Sequence, residues 1–143
     1  MQPSAQFPSP PPSPSPALSS SPSERVRFLE HRGKRILLVD FSHLQETEEV
    51  FRVMKAARAV VGAQPPASLH TLTHVRGARY TPPVMDAMKA LAVHNRPYVT
   101  AAAVVGMERM HRILFRAVIL FSRRNIEAFD SVDEAKDWLA SQP

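Results

Sequence analysis

A short basic loop in the middle of the chain holds the residues best suited to binding. Arg76 and Arg79 flank Gly77, and Tyr80 and Thr81 follow directly. Two guanidinium groups around a flexible glycine, beside the free amides of a helix start, form an arrangement that binds anions and carboxylates. We therefore predict that Arg76, Arg79, Tyr80 and Thr81 contact a partner or an anion. The alternative interpretation is a solvated surface loop.

One pair among the six histidines has a regular spacing. His70 and His74 share a strand face with Leu72, because side chains alternate between the two faces of a strand. Positions four apart on a strand are separated by about 13 Å, which is too far for both to bind one metal ion. His74 lies near the carboxyl end of its predicted strand, as Asp40 does on another. If these strands are neighbours, the two side chains meet as an acid–base pair; the alternative is that turn amides satisfy each of them.

The sequence lacks the common catalytic motifs. Its four glycines are scattered, so they form neither a Walker loop nor a GxGxxG turn. There is no GxSxG elbow for a serine hydrolase and no HExxH zinc motif. The absence of cysteine excludes a thiol nucleophile, a cysteine-ligated zinc site and a disulfide scaffold. We therefore predict no catalytic residue, no metal and no cofactor, and a protein that is not an enzyme.

The basic loop is predicted to connect a strand to a helix. Apolar residues are interleaved with threonine and histidine from Leu69 to Val75, a pattern typical of a strand. Thr81 stands directly before Pro82 and Pro83, and threonine is a good N-cap while proline suits the first helical turn. In an α/β domain such a connection opens onto the carboxyl edge of the sheet, where ligands and partners usually bind.

Two apolar segments near the start predict a β-hairpin. Apolar residues alternate from Val26, and a continuous apolar run covers residues 36–39 after the turn at Gly33. A continuous run is typical of a strand buried on both faces, so the second strand should lie inside the sheet. Further strands are predicted at residues 98–105 and 125–129.

The helices complete the predicted order ββαβαβαβα. Apolar spacing predicts a helix from about Gln45 or Thr47 to Val61, which Gly62 ends in a left-handed cap. The glutamates of its first turn suit the helix dipole, and we do not interpret them as a metal site. A capping box at residues 131–134 predicts the start of the last helix. This order predicts an α/β domain with a mostly parallel sheet, an antiparallel N-terminal edge hairpin and helices packed on it.

A third long helix is predicted over about residues 107–121. One side carries a stripe of arginines, and Phe115 and Ile119 lie beside it, away from the side predicted to face the sheet. We therefore predict an exposed interface of Arg112, Phe115, Arg116 and Ile119 for a protein partner, a membrane surface or a second copy of the chain in a homodimer. The alternative is burial of these residues under a neighbouring element.

The start of the chain differs in composition from the rest. Residues 1–23 are rich in proline and serine and carry no charged side chain. Such a segment buries too little apolar surface to offset its ordering entropy, so we predict a disordered tail. It is interpreted either as a ligand for a proline-recognising domain or as a passive tail. The length of 143 residues and a hydrophobic content of 44% suit one domain, which we predict at residues 24–141.

The net charge of +5 and the pI of about 10.2 favour acidic partners, nucleic acid or anionic lipid. The same balance is common among arginine-rich bacterial proteins, and we expect no nucleic-acid partner. No apolar run reaches the roughly 18 residues of a membrane span, and the N-terminus lacks the pattern of a signal peptide. Together with the absence of cysteine, these features predict a cytoplasmic protein.

Several segments add a resemblance, in their order and spacing, to a known family. They are GKRILLVDFS at 33–42, LTHVRGARY at 72–80, NRPYV at 95–99, AVVGM at 103–107, RNI at 124–126, FD at 129–130 and EAKDWL at 134–139. Together with the element order they resemble the STAS fold of anti-sigma-factor antagonists, and their amino-acid sequences resemble those of the SpoIIAA-like branch. That fold is related to CRAL-TRIO lipid-binding domains. The resemblance covers about residues 24 to 140.

The resemblance implies a non-enzymatic regulatory or binding module that engages a protein partner through residues 76–85. Sigma-regulatory STAS proteins are switched by phosphorylation of a serine in an Asp-Ser loop at the start of the second helix. That loop corresponds to Arg79 to Val84 here, where there is no Asp-Ser and Thr81 is the candidate for phosphorylation. The CRAL-TRIO relation implies an alternative, in which a small apolar or lipid-like ligand binds between a helix and the sheet.

Overall fold

The computed structural model of the protein describes residues 21–109, 111–113 and 125–143. Of the predicted third long helix, Met107 and Glu108 are described and are not helical, Arg109 and residues 111–113 are helical, and residues 110 and 114–121 lie outside the described residues. The predicted tail and its boundary stay predictions, since residues 1–20 are also outside. The described strands are β1 (Val26–His31), β2 (Lys34–Asp40), β3 (Leu69–His74), β4 (Val99–Val105) and β5 (Ile126–Phe129). The described helices are α1 (Pro22–Arg25), α2 (Thr47–Gly62), α3 (Pro82–Asn95) and α4 (Val132–Ser141).

The strands form one five-stranded sheet in the order β1-β2-β3-β4-β5. Strand β1 pairs antiparallel with β2, and the other neighbours pair in parallel. The two-residue hairpin turn has positive φ at both positions, Arg32 (51°) and Gly33 (80°), which is typical of a type I′ turn. The prediction of a mostly parallel sheet with an antiparallel N-terminal edge hairpin is therefore confirmed.

The sheet separates two apolar cores. Helix α2 packs on one face, with α3 against it, and the predicted apolar stripe of α2 is buried there. Helix α4 covers the opposite face, where Ala135 and Leu139 are fully buried against strand residues. Neighbouring residues of a strand therefore contribute to different cores, as with Ile36 beneath α4 and Leu37 beneath α2. Burial on both faces explains why β2 is a continuous apolar run.

Side-chain caps fix the starts of three helices. The hydroxyl of Thr81 accepts a hydrogen bond from the amide of Val84 (3.4 Å), and that of Ser131 accepts one from the amide of Glu134 (3.1 Å). Both caps were predicted, and α3 and α4 begin where the sequence places them. Helix α1 was not predicted, although Ser21 accepts from the amide of Glu24 (3.3 Å) in the same motif. A serine followed three residues later by glutamate was the signal that could have found it.

The predicted end of α2 is wrong in its detail. Gly62 is the last residue of the helix and does not adopt a positive φ. The cap is Ala63 in right-handed helical conformation, and its amide donates to the carbonyls of Val60 and Val61. The left-handed residue comes later, at Ala67 with a φ of 51°. A glycine after an apolar stripe thus indicated the region where the helix stops but not the conformation that stops it.

Helix α4 is tied to the hairpin turn by an exposed polar contact. Asp137 lies 2.7 Å from the imidazole of His31 and 3.4 Å from the guanidinium of Arg32. The hydrogen bond with His31 holds the pKa of Asp137 below its usual range, and Arg32 acts in the same direction. The contact joins the carboxyl-terminal half of α4 to the carboxyl end of β1, and it therefore helps to orient the helix across the sheet.

Replacing Thr81 with alanine tests the cap that starts α3. Pro82 and Pro83 have no amide hydrogen, so the Val84 amide is the first donor of this helix, and the substitution leaves it without a partner. We expect the free energy of unfolding to fall by about 1 kcal/mol in urea denaturation. Thr81→Ser keeps the hydroxyl and should stay close to the wild type. Equal stability of the alanine variant and the wild type would contradict this role.

Candidate functional site

The carboxyl ends of β2 and β3 continue into two loops that lie side by side. The amide of Phe41 donates to the carbonyl of His74 (2.8 Å), and the amide of His43 donates to that of Arg76 (2.8 Å). The amide of Arg79 then donates to the carbonyl of Leu44 (2.9 Å). We name the two segments the first loop (residues 41–46) and the arginine loop (residues 75–81). Gly77 was expected to be flexible, but the backbone of the arginine loop is held by hydrogen bonds with the first loop.

Two glycines let the backbone of the arginine loop pack closely against its neighbours. Gly77 has a φ of +69°, and a Cβ atom there would lie 2.5 Å from Nδ1 of His43. Its carbonyl accepts a hydrogen bond from the side chain of Gln45 (2.7 Å). Gly106, which follows β4, has a φ of +84°, and a Cβ atom there would lie 2.6 Å from Cβ and 2.9 Å from the backbone nitrogen of Arg76. Arg76 is therefore positioned from both sides.

The two arginines of the loop have different environments. The guanidinium of Arg76 donates to the main-chain carbonyl of Asp130, just after β5. The side chain of Arg79 is exposed, and no described residue forms a hydrogen bond or ion pair with its guanidinium. Arg76 thus fastens the loop to the end of the sheet, and Arg79 presents an unpaired charge to solvent.

Tyr80 is half-buried and holds the loop against the core. Its hydroxyl donates to the carbonyl of Val75 (3.4 Å), and its ring lies 5.4 Å from that of His111. Burial raises the pKa of Tyr80 to about 12, and the charge of Glu108 acts in the same direction. The phenol is therefore protonated at neutral pH and serves as a hydrogen-bond donor.

The helix start does not offer the free amides that the anion-site prediction assumed. The first two positions of α3 are Pro82 and Pro83, which carry no amide hydrogen. The amide of Val84 is bonded to the Thr81 hydroxyl and that of Met85 to the Thr81 carbonyl (2.9 Å). The arrangement therefore offers guanidinium groups without helix amides beside them. Thr81 as a phosphorylation site stays a prediction, with its hydroxyl used as the cap.

Asp40 and His74 do meet, because they are register partners on adjacent strands. His74 Nδ1 lies 3.8 Å from Asp40 Oδ1, which is too long for a hydrogen bond. Asp40 Oδ1 instead accepts a hydrogen bond from the amide of Ser42 (2.8 Å) and lies 3.8 Å from the guanidinium of Arg25. Arg25 also donates to the carbonyls of Asp40 and Ser42, both at 3.1 Å. Arg25 is the site residue that the sequence did not indicate, since it lies far from the loop along the chain.

His74 is poorly placed to act on an external substrate. Its Nε2 atom is buried and has no hydrogen-bond partner among the described residues. Burial lowers the pKa of His74, while the charge of Asp40 opposes that shift and those of Arg76 and His43 add to it. The imidazole is therefore neutral at pH 7, and its free nitrogen does not reach solvent. The predicted pair exists, but in this arrangement it does not present a base to a ligand.

The second predicted interface lies mostly outside the described residues, which do not include Phe115, Arg116 and Ile119. Arg112 is half-buried, and its guanidinium contacts the Asp130 carboxylate (2.6 Å) and donates to the Ala128 carbonyl (3.1 Å). It is therefore engaged with the end of β5. The nearby Ile113 side chain is 66% exposed. The alternative of an apolar ligand between this helix and the sheet stays a prediction.

Two further properties concern the described part of the chain. No group of three or more histidine, aspartate or glutamate side chains there is arranged to hold a metal ion. None of the described helices is long and apolar enough to cross a membrane.

Comparisons with known proteins identify the fold. The sequence matches no protein-family profile and no curated protein. An uncharacterized protein of the DUF3478 family with a SpoIIAA-like fold, from Shewanella loihica PV-4, is similar in structure, with a TM-score of 0.62 and 13% identity over 80% of this chain and 91% of that one. An anti-sigma-factor antagonist (STAS) domain protein from Planctomyces limnophilus is similar with a TM-score of 0.54 and 13% identity over 81% of this chain and 98% of that one.

Proposed function

We propose that this protein, which has a STAS-like fold of the SpoIIAA type, is a non-enzymatic regulatory module that binds a protein partner. The binding surface is the arginine loop with the first turn of α3, residues 76–85. The observation that carries the proposal is the unpaired, exposed guanidinium of Arg79 on a loop whose backbone is fixed. The anti-sigma-factor antagonist (STAS) domain protein of similar structure bears a name that supports a regulatory role.

The fixed backbone favours binding because little conformational freedom remains to be lost. The hydrogen bonds to the first loop and the close packing at Gly77 and Gly106 hold the arginine loop before any partner arrives. Side-chain and loop ordering is a main cost of association, so a preorganised loop gains affinity. Pro82 and Pro83 are exposed beside Arg79 and add rigid apolar surface. The combination suits a partner segment that carries a carboxylate next to apolar side chains.

Reversing the charge of Arg79 tests this surface. A tagged wild-type protein is used to capture partners from a lysate of the source organism, and the affinity of each captured protein is then measured with purified components. We expect Arg79→Glu to weaken binding of the relevant partner by about 30-fold or more, as removal of an interface hot spot does. Arg96→Glu, a charge reversal at another exposed arginine at the opposite end of α3, should bind like the wild type. Identical affinities for wild type and Arg79→Glu would reject the loop as the binding surface.

A further inference from the structure

His74 lies where the first loop and the arginine loop join. Its carbonyl accepts the first of the inter-loop hydrogen bonds, from the amide of Phe41, and two residues later the carbonyl of Arg76 accepts the next, from His43. Its side chain points to the face of the sheet that carries Asp40, its register partner. Any change that moves the His74 side chain therefore acts on the origin of both loops.

The charged groups around His74 disfavour protonation of its imidazole, because two guanidinium groups face one carboxylate there. Asp40 faces it from β2, His43 from the first loop and Arg76 from its own loop, and Arg25 of α1 contacts the same carboxylate. On the β4 side its register partner is the apolar, buried Val105. Protonation would add a further cation beside the Asp40 carboxylate, which already has the Arg25 guanidinium 3.8 Å away, and the positive charge of Arg76 opposes it as well.

Hydrogen bonding, like the surrounding charges, favours the neutral form of the His74 imidazole. A neutral imidazole needs an acceptor for one N–H, whereas a protonated one needs acceptors for two. The nearest carboxylate oxygen of Asp40 is engaged by the Ser42 amide, and Nε2 of His74 is buried without a partner among the described residues. A second N–H would therefore be buried without an acceptor, and such a donor is costly. The protonated side chain is better accommodated in contact with water.

We propose that His74 is a pH-sensitive switch, whose protonation separates the first loop from the arginine loop while the core of the domain stays folded. This pH response is a property of the protein alone and does not depend on the proposed partner. Burial lowers the pKa of His74 from its ordinary 6.5. A base with a lowered pKa binds fewer protons in the closed arrangement than in the open one. The closed arrangement is therefore stable above pH 6.5 and is lost progressively as the pH falls below it.

His70 supplies a matched control on the same strand and the same face. Its Nε2 is also buried without a partner among the described residues, and burial likewise lowers its pKa, with Lys34 adding to the shift. It lies at the amino end of β3, four residues from His74 and away from both loops. His70→Gln and His74→Gln therefore remove equivalent titrations at opposite ends of the strand.

The test is amide hydrogen exchange by NMR on the full chain at pH 7.5 and 5.5, expressed as protection factors that remove the intrinsic pH dependence. In the wild type and in His70→Gln, protection of the His43 and Arg79 amides should fall relative to the amides of β2, by at most about tenfold, because the ordinary histidine pKa of 6.5 in the open arrangement lies one unit above pH 5.5. In His74→Gln it should not change with pH. No fall in the wild type, or the same fall in all three proteins, would overturn the proposal. If His74→Gln does not fold, the wild type alone still tests the proposal. The titration of the His74 imidazole and the opening of the loops must then share one midpoint pH. Different midpoints would overturn the proposal.

Discussion

Gly106→Ala is expected to lower the free energy of unfolding by about 2–6 kcal/mol, one of the two largest effects that the structure implies. The substitution places a side chain at a φ of +84° and brings its Cβ atom within 2.9 Å of the Arg76 backbone. A backbone atom has no flexible end that can move aside, so the arginine loop or β4 must shift. Urea denaturation monitored by the fluorescence of Trp138 measures the loss.

Gly33→Ala separates the two causes of this effect. Gly33 has nearly the same conformation, with a φ of +80°, but a Cβ atom there would meet nothing within 4 Å. Its substitution should therefore cost only the backbone term, about 1–2 kcal/mol. Equal losses for Gly33→Ala and Gly106→Ala would show that close packing against Arg76 is not important.

Phe41→Ala is expected to lower the free energy of unfolding by about 3–5 kcal/mol. Phe41 directly follows β2, its side chain is fully buried, and its amide donates the first hydrogen bond between the two loops. Removing the ring leaves a cavity beneath the loops that bear the candidate binding surface. The same denaturation experiment measures the loss, and hydrogen exchange should show that the first loop and the arginine loop lose protection before the strands do.

The matched variant is Phe41→Leu, which keeps most of the apolar contact. It should cost about 1.5 kcal/mol or less, because the core tolerates a change of shape better than a void. A small effect of Phe41→Ala, similar to that of Phe41→Leu, would contradict the packing described at this edge.

The fold was predictable because its signals are local. Thr81 before two prolines and Ser131 before an acidic turn mark helix starts by side chains that bond to amides three residues away. The continuous apolar run of β2 indicated that this strand is buried on both faces. Arg32 and Gly33 form the tight turn of the hairpin. The SpoIIAA-like resemblance followed from the order of such elements, and the similar solved structures confirm it as a fold.

The site was harder to predict because its contacts are not local. The sequence indicates that Gly77 is flexible. In the structure, its lack of a side chain instead allows the imidazole of His43 to pack closely against it. Arg25 reaches Asp40 from a helix in a segment where none was expected. The free amides expected at the start of α3 are absent because the prolines that mark the helix start are also the residues without a donor. The local sequence signal therefore predicted the start of α3 correctly but not the hydrogen-bonding capacity of that helix end.

The proposed function depends most directly on where a partner contacts this protein. The measurement is an NMR titration of the labelled chain with the partner captured by the wild type, following backbone amide shifts. We expect the largest shifts at residues 76–85 and at the adjoining residues 41–46, with α4 and the hairpin turn at Arg32 and Gly33 unaffected. Shifts confined to α4 or to the amino edge of the sheet, with none in the arginine loop, would contradict the account.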